Sequence, residues 1–156
     1  MRPSDRPLIE SGFRALSPRS RLDRFLTPVQ ELGDGRLAFL HQLDGSAQAA
    51  VGAVTLHGKG VAIARFARVP ADPRAAEVGI TVVDDYQGRG AGTLLFRELA
   101  RIAIERGIRR FVGVVRAANG RAVDPLRRVA SNLLPDGPGL ITFEVDLVRL
   151  IETGVG

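Results

Sequence analysis

Cysteine is missing from all 156 residues, and its absence removes disulfides, thiolate nucleophiles and Cys-based zinc or iron-sulfur sites together. Histidine is nearly missing: His41 and His57 are the only two. They do not stand at metal-ligand spacing, and no metal is expected. No run approaches the roughly 18 uncharged apolar residues of a membrane span, so a soluble globular chain is expected and no membrane partner. The opening MRPSDRPLIESGF has no apolar core and carries Asp5 and Glu10. That argues against a secretory leader or an organellar transit segment and makes the cytoplasm the expected address. Lysine is scarce as well, with Lys59 alone beside 21 arginines.

What is present fits one domain over residues 1 to 156, because a chain of this length buries a single sizeable core and has no room for two catalytic domains. Arginine dominates the charge. Between Gly107 and Ala130 stand Arg109, Arg110, Arg116, Arg121, Arg127 and Arg128 against Asp124, a net +5 that equals the formal charge of the whole chain. Two readings stay open for this segment: a solvated Arg-rich surface, or an anion site for phosphates or an acidic partner. Nucleic acid is the weaker partner, since the nearby Phe96 and Phe111 fit core positions and no helix-turn-helix or stacking module is visible.

Residues 1 to 12 read as a loose lead. A helix is expected where Ser17 can cap and Pro18 can fill the first turn, with Leu22, Phe25 and Leu26 as its apolar stripe. A shorter helix is expected over Arg36 to Leu43. From Ala49 the period changes to that of strands, AAVGAVTL, then a turn at His57 to Gly60, then VAIARFARV, which together predict a hairpin. PADPRA reads as a loop. Ala76 to Val83 is the next strand, with Val78, Ile80 and Val82 on one face and Glu77, Gly79, Thr81 and Val83 on the other. Gln87 to Gly107 reads as a turn and a long helix striped by Leu95, Leu99 and Ile102, with Arg101 and Glu105 able to pair on its polar side. RRFVGVVRA is a strand, Gly120 to Ser131 a helix interrupted by Pro125, PDGPG a turn and LITFEVDLV a last strand. The crossover from Glu77 to Arg116 favours one parallel pairing in an otherwise antiparallel sheet, giving an α+β class with helices flanking a mixed sheet.

The sharpest local signal is QGRGAG, Gln87 to Gly92, where a strand passes into a helix. Glycines let successive N–H groups turn inward without Cβ obstruction, and the helix start adds open amides and the positive end of its dipole, so the pattern makes a phosphate cradle. A dinucleotide fingerprint is not matched, because the third glycine falls on Thr93 or Leu95 depending on the frame, and no Gly-Lys-Ser/Thr follows for a Walker A loop.

The run ITVVDDYQGRGAGTLLFRELARIAIERGIRRF resembles the acetyl-CoA-binding motif of the GNAT superfamily of N-acetyltransferases, whose core is Q/R-x-x-G-x-G/A; Gln87, Gly90 and Gly92 match it. The resemblance runs from about Ala49 through the terminal strand and implies the GNAT acyl-CoA N-acyltransferase fold. More narrowly, FRALSPRSRLDRFLTPV with VAIARFARVPADPRAAEVGITVVDDYQGRGAGT is similar to bacterial protein lysine acetyltransferases of the type that modify acyl-CoA synthetases. The resemblance implies acetyl-CoA as cosubstrate, with its diphosphate on the backbone amides of Gln87, Gly88, Arg89, Gly90, Ala91, Gly92 and Thr93. It further implies the pantetheine arm along Val82 and Val83 and a hydrogen bond from Asn119. Glu77 stands at the strand position that such enzymes use for the general base. A carboxylate there makes chemical sense, because a lysine ammonium with a pKa near 10.4 attacks only after losing its proton. A backbone N–H of the same strand, with Val82 as the candidate, is expected to meet the thioester oxygen as charge develops.

One departure bears on mechanism. The Tyr that many GNAT enzymes place seven residues after the Asn is Leu126 here, and the only Tyr is Tyr86, in the turn. A leaving thiolate with a conjugate acid near pKa 8.5 needs little help. Asp84 and Asp85, being anionic, are expected to cap the turn or repel a wrong partner. Three activities stay open: acetyl transfer to a protein lysine, acetyl transfer to a small-molecule amine, and CoA binding by a regulatory module without turnover. Monomer and homo-oligomer both stay open too.

Overall fold

A computed structural model of the protein describes residues 3–33 and 47–154. The helix expected over Arg36 to Leu43, and His41 with it, lies outside the described residues. Strands β1 (Gln48–Val54), β2 (Gly60–Val69), β3 (Asp72–Val82), β4 (Arg110–Arg116), β5 (Asn132–Pro135) and β6 (Leu140–Asp146) form one sheet. Their order is β1, β2, β3, β4, β6, β5. Every pairing is antiparallel except β3 with β4, which is the parallel crossover that the strand-helix-strand order favours.

The hairpin of β1 and β2 forms because Thr55 accepts from Lys59 N–H through its hydroxyl and donates its own N–H to the Lys59 carbonyl. Gly58 supplies the left-handed residue, at φ 77°. His57 stands exposed in that turn. Helix α3 (Ala91–Glu105) crosses from β3 to β4 and lays Leu95, Leu99, Ala100 and Ala103 onto one face of the sheet. There the Phe111 ring lies 5.8 Å from Phe66 and 5.6 Å from Phe96. Phe111 is wholly buried, so truncating it to Ala would cost about 3–5 kcal/mol. Helix α4 (Gly120–Val129) adds Leu126 to the same core and carries Pro125 within it. On the opposite face lie α1 (Arg6–Arg14) and α2 (Pro18–Phe25).

Four local expectations change. The lead is not loose, because α1 forms within it, buries Phe13 and docks on the sheet. A Cβ on Gly60 would meet the Leu8 carbonyl oxygen at 3.1 Å, so the close approach of helix and strand depends on that glycine. PADPRA shrinks to a turn at Pro70 and Ala71, since Asp72 pairs with Arg110 and the Arg74 carbonyl accepts from Arg109 N–H at 2.7 Å, drawing the segment into β3. NLLP is a strand, held by β6 alone. The last strand stops at Asp146, whose carboxylate accepts from the N–H groups of Val148 and Arg149 and starts α5 (Leu147–Thr153). Leu147 and Leu150 then pack into the main core.

Candidate active site

Strand β3 ends at the turn. Val83 N–H donates to the Val61 carbonyl at 2.9 Å, and a single 3-10 turn, Asp84–Tyr86, follows. Gly88 and Gly90 then take left-handed conformations, at φ 71° and 83°. A Cβ on either would meet nothing within 4 Å, so the backbone conformation and not space calls for glycine there. Gly90 is the N-cap residue of α3 and offers no side chain to the amides beyond it. The first amide with a backbone partner is that of Leu94, which donates to the Gly90 carbonyl at 3.0 Å. The N–H groups from Gly88 to Thr93 have no backbone partner among the described residues, which leaves a concave row of donors at the positive end of a 15-residue helix. This arrangement fits a diphosphate.

Gln87 is built differently from the row that follows it. Its N–H is taken by the Asp84 carbonyl at 3.1 Å. Its side-chain amide donates to the Val82 carbonyl at 2.9 Å and the Ser20 hydroxyl at 3.1 Å, and accepts from Arg121. The expected cradle from Gln87 to Thr93 therefore begins at Gly88, and Gln87 is the joint that ties β3, α2 and α4 together.

The second feature is a gap between strands. β3 and β4 are paired only at Ala75 with Arg110, Ala76 with Phe111 and Glu77 with Val112, after which they part. Beyond that point β3 runs on to Val82 bonded to β2 alone, while β4 runs on to Arg116 bonded to β6. Because Val83 N–H points to β2, strict alternation turns the backbone groups of Val78, Ile80 and Val82 toward the gap, where the Val82 carbonyl is already taken by the Gln87 amide and its N–H is left facing the opening. An extended ligand arm lying there would complete the ladder. Val83 itself is turned the other way, so of the two residues expected to receive the arm only Val82 faces it.

Helix α2 spans the mouth of this gap. On the β3 side, the Asp84 carboxylate accepts from Ser17 N–H at 3.0 Å, the Ser17 hydroxyl at 2.7 Å and the Ser20 hydroxyl at 3.0 Å. Burial alone would push the Asp84 carboxyl up, and these hydrogen bonds outweigh it and hold the carboxyl below its ordinary value. On the β4 side, Asp23 pairs with Arg116 at 2.7 Å and Arg19 donates to the Ala118 carbonyl at 3.2 Å. Asp84 is expected to cap its own turn, but that turn carries no side-chain cap bond, and the carboxylate instead closes a contact between the turn and the start of α2.

Glu77 sits where the strands part, exposed, with no ion pair among the described residues. The arginines that could have neutralised it are engaged elsewhere: Arg65 with Gln48, Arg68 with the Pro73 and Arg106 carbonyls, Arg116 with Asp23. Its face of β3 carries Gly79 and Thr81 onward into a cavity of about 270 Å³ beneath α1 and α2. Asn119, the N-cap residue of α4, holds its backbone in the helix start, and its half-buried side chain makes no cap bond. Leu126 is buried in the core. Tyr86 lies between two cations, with the Arg89 guanidinium 5.5 Å and the Lys59 ammonium 5.9 Å from its ring. Of the arginines from 109 to 128, Arg110, Arg116 and Arg127 are paired with acids and Arg121 with Gln87. That segment is thus largely committed to the fold, whereas Arg89 stands exposed at the turn. The described residues contain no group of three acids or histidines placed to hold a metal, and no helix among them is long and apolar enough to cross a membrane.

Sequence reasoning missed Ser17, Ser20 and Asp84 as one unit and did not single out Arg24. The only signal for the first was the cap assigned to Ser17; the second has no local signal.

Comparison with known proteins places this geometry. The sequence model described as "Acetyltransferase (GNAT) family" matches residues 10–128. An acetyltransferase of Pseudomonas aeruginosa is 32% identical over 123 residues, 76% of this chain and 65% of that protein. The acetyltransferase Pat of Mycolicibacterium smegmatis is 36% identical over 90 residues, 58% of this chain and 27% of that protein. The chain thus spans less than two thirds of the curated relatives it matches. Among solved structures, the GNAT domain of S. lividans PAT superposes with a TM-score of 0.84 at 26% identity, covering 94% of this chain and 87% of that one.

Proposed function

The chain belongs to the Acetyltransferase (GNAT) family, and from that premise we propose that it transfers an acetyl group from acetyl-CoA to a primary amine, with Glu77 as general base. The supporting observation is the meeting of two open hydrogen-bonding rows: the amides from Gly88 to Thr93, and the β3 edge that is exposed where β3 and β4 part. Acetyl-CoA would supply the activated thioester. The chain supplies position and charge: Gly88 to Thr93, with Arg89 beside them, receive the diphosphate, and the Val82 N–H with the edge groups of Ile80 and Val78 aligns the arm. Asn119 has a side-chain amide free to hold it.

Glu77 marks the end of this track. Val82 lies five positions away, about 16 Å along an extended strand. Ile80 and Val78 are nearer and face the same gap, so the Ile80 N–H replaces that of Val82 as the donor to the thioester oxygen. Glu77 takes the ammonium proton, the neutral amine nitrogen bonds to the acetyl carbon and gives up its second proton to water as the amide forms, and the carbon–sulfur bond breaks to release the thiolate. Leu126 offers no acid, and water protonates the thiolate. The acceptor class is a protein lysine, such as that of an acyl-CoA synthetase, which the likeness of the segments around Phe13 to Val29 and Val61 to Thr93 to protein lysine acetyltransferases supports.

The test is thiol release from acetyl-CoA with lysine peptides, intact protein acceptors and free amines, beside thermal melts with CoA. Acetylation of an amine together with a raised melting temperature is expected. Stabilisation by CoA with no acetylated product would instead identify a regulatory binding module, and no response to millimolar CoA would overturn the reading altogether.

A further inference from the structure

The floor of the cavity beneath α1 and α2 holds two guanidinium groups. Arg24 of α2 lies flat against β3, close enough that a Cβ on Gly79 would meet its Cζ at 2.7 Å. Arg65, the cross-strand partner of Gly79, is 4% exposed and hydrogen-bonded to Gln48. Thr81 lines the same floor, and the walls include Phe13, Leu16, Phe25 and Leu32. Arg24 stacks on Phe25, its guanidinium 5.4 Å from the ring, and makes no hydrogen bond or ion pair among the described residues. Burial lowers the pKa of Arg24, and burial together with the charge of Arg24 pushes that of Arg65 down to about 10. Two neighbouring cations in an apolar cavity are costly without an anion between them. Among the described residues Asp5 is the only acid lining the cavity, and none of their carboxylates offsets the desolvation of Arg24.

We propose that this cavity receives a carboxylate carried by the acceptor, with Arg24 as its chief ligand and Arg65 behind it. The proposal rests on reading this side of β3 as the acceptor side. Gly79 and Glu77 share a face two residues apart, about 7 Å along the strand. An acceptor with its carboxylate on Arg24 and its amine a few bonds away therefore presents the amine to Glu77. Guanidinium forks suit carboxylates by paired hydrogen bonds. An alternative source of the same group is an acidic side chain next to a lysine in a protein acceptor.

Two matched pairs of probes separate these sources: Nα-acetyl-lysine against its methylamide, and a Lys-Glu peptide against Lys-Gln with both ends blocked. Binding to the full chain without CoA is measured by calorimetry, and acetyl transfer is measured separately. The carboxylate member of one pair should bind at least tenfold more tightly than its neutral partner, and that preference should vanish in Arg24→Met. The pair that shows the preference identifies the source. Because Arg24→Met removes a desolvated charge, the melting temperature of the free protein should hold or rise, which reports that the variant is folded. Equal binding within both pairs, or a preference that survives Arg24→Met, overturns the proposal. Efficient acetyl transfer to neutral and anionic members alike would sink the carboxylate site and leave the acetyltransferase reading standing; a carboxylate preference with no transfer would do the reverse.

Discussion

The N-termini of α2 and α3 flank the same few residues at the end of β3, and they dispose of their amides in opposite ways. At α2, the Ser17 hydroxyl accepts from Ser20 N–H at 3.2 Å, and the N–H of Ser17 itself goes to Asp84. At α3, Gly90 stands in the cap position with no side chain, and the amides from Gly88 to Thr93 have no backbone partner among the described residues. One helix start is used to hold the fold, and the other is left with open amides. The two are joined through Gln87, which reaches Ser20 on one side and leads into the glycines on the other. A helix dipole alone does not make a site; what distinguishes α3 is that no side chain has been placed where the anion would go.

The sharpest way to break the contrast is Gly90→Val. A β-branched residue at φ 83° is strained by about 1–3 kcal/mol, and relief of that strain turns the amides away. Thermal stabilisation by CoA should disappear, and its survival would mean that the cradle is not where the ligand sits. Next in size is Glu77→Gln, which keeps volume but cannot accept a proton. Acetyl transfer near neutral pH should fall by roughly 10²-fold with CoA binding unchanged, and the deficit should shrink toward about pH 10 as the amine loses its proton unaided. Full activity in this variant across pH would dismiss Glu77 as the base. Arg89→Gln should weaken CoA by about tenfold, a charge-assisted contact at an exposed position. Comparing CoA with dephospho-CoA then shows whether Arg89 meets the 3′-phosphate: an equal loss for both leaves it with the diphosphate alone.

The α2 terminus should answer to stability rather than to ligand. The Asp84 carboxyl is held below its unfolded value, so its contribution is present above the unfolded pKa near 3.9 and fades as pH falls through the lower folded value. Wild type should therefore melt above Asp84→Asn at neutral pH, with the two curves converging in acid. A gap that stays constant down to low pH would show that charge is not what Asp84 contributes. The smallest effect expected is that of Ser17→Ala, about 1 kcal/mol for a lost cap, read in the melting temperature with CoA affinity nearly unmoved. A large fall in CoA affinity from Ser17→Ala would mean that the two termini are not separate in function.

How much of this was legible in the chain depends on the range of the interaction involved. The Ser17 cap, the Gly107 stop, the stripe of α3 and the two faces of β3 all follow from contacts within a few residues, where the helix and strand periods apply. The Gly-rich turn was legible for the same reason, since positive φ at Gly88 and Gly90 is a local demand. Leu126 could be read as a missing acid, and its burial explains why an apolar residue suits that place. The α5 cap at Asp146 was a local signal too, and the clean alternation of LITFEVDLV masked it.

By itself, then, the sequence determined the order of most elements, the open helix start, and the placement of Glu77 on the face shared with Gly79 and Thr81. Only the tertiary structure decided that β3 and β4 part after Glu77, that α2 spans the gap, and that Gln87 serves as a joint. It alone brought Arg24 against Gly79 beside Arg65. Those contacts join residues some 15 to 95 positions apart in the chain, and no period of two or 3.6 residues carries information over that distance. They form because α1 and α2 dock on the sheet while burying Phe13 and Leu16 with Val29, Phe25 and Leu32 in a second small core. Where that burial sets the helices down is what places the arginine and opens the cavity around it.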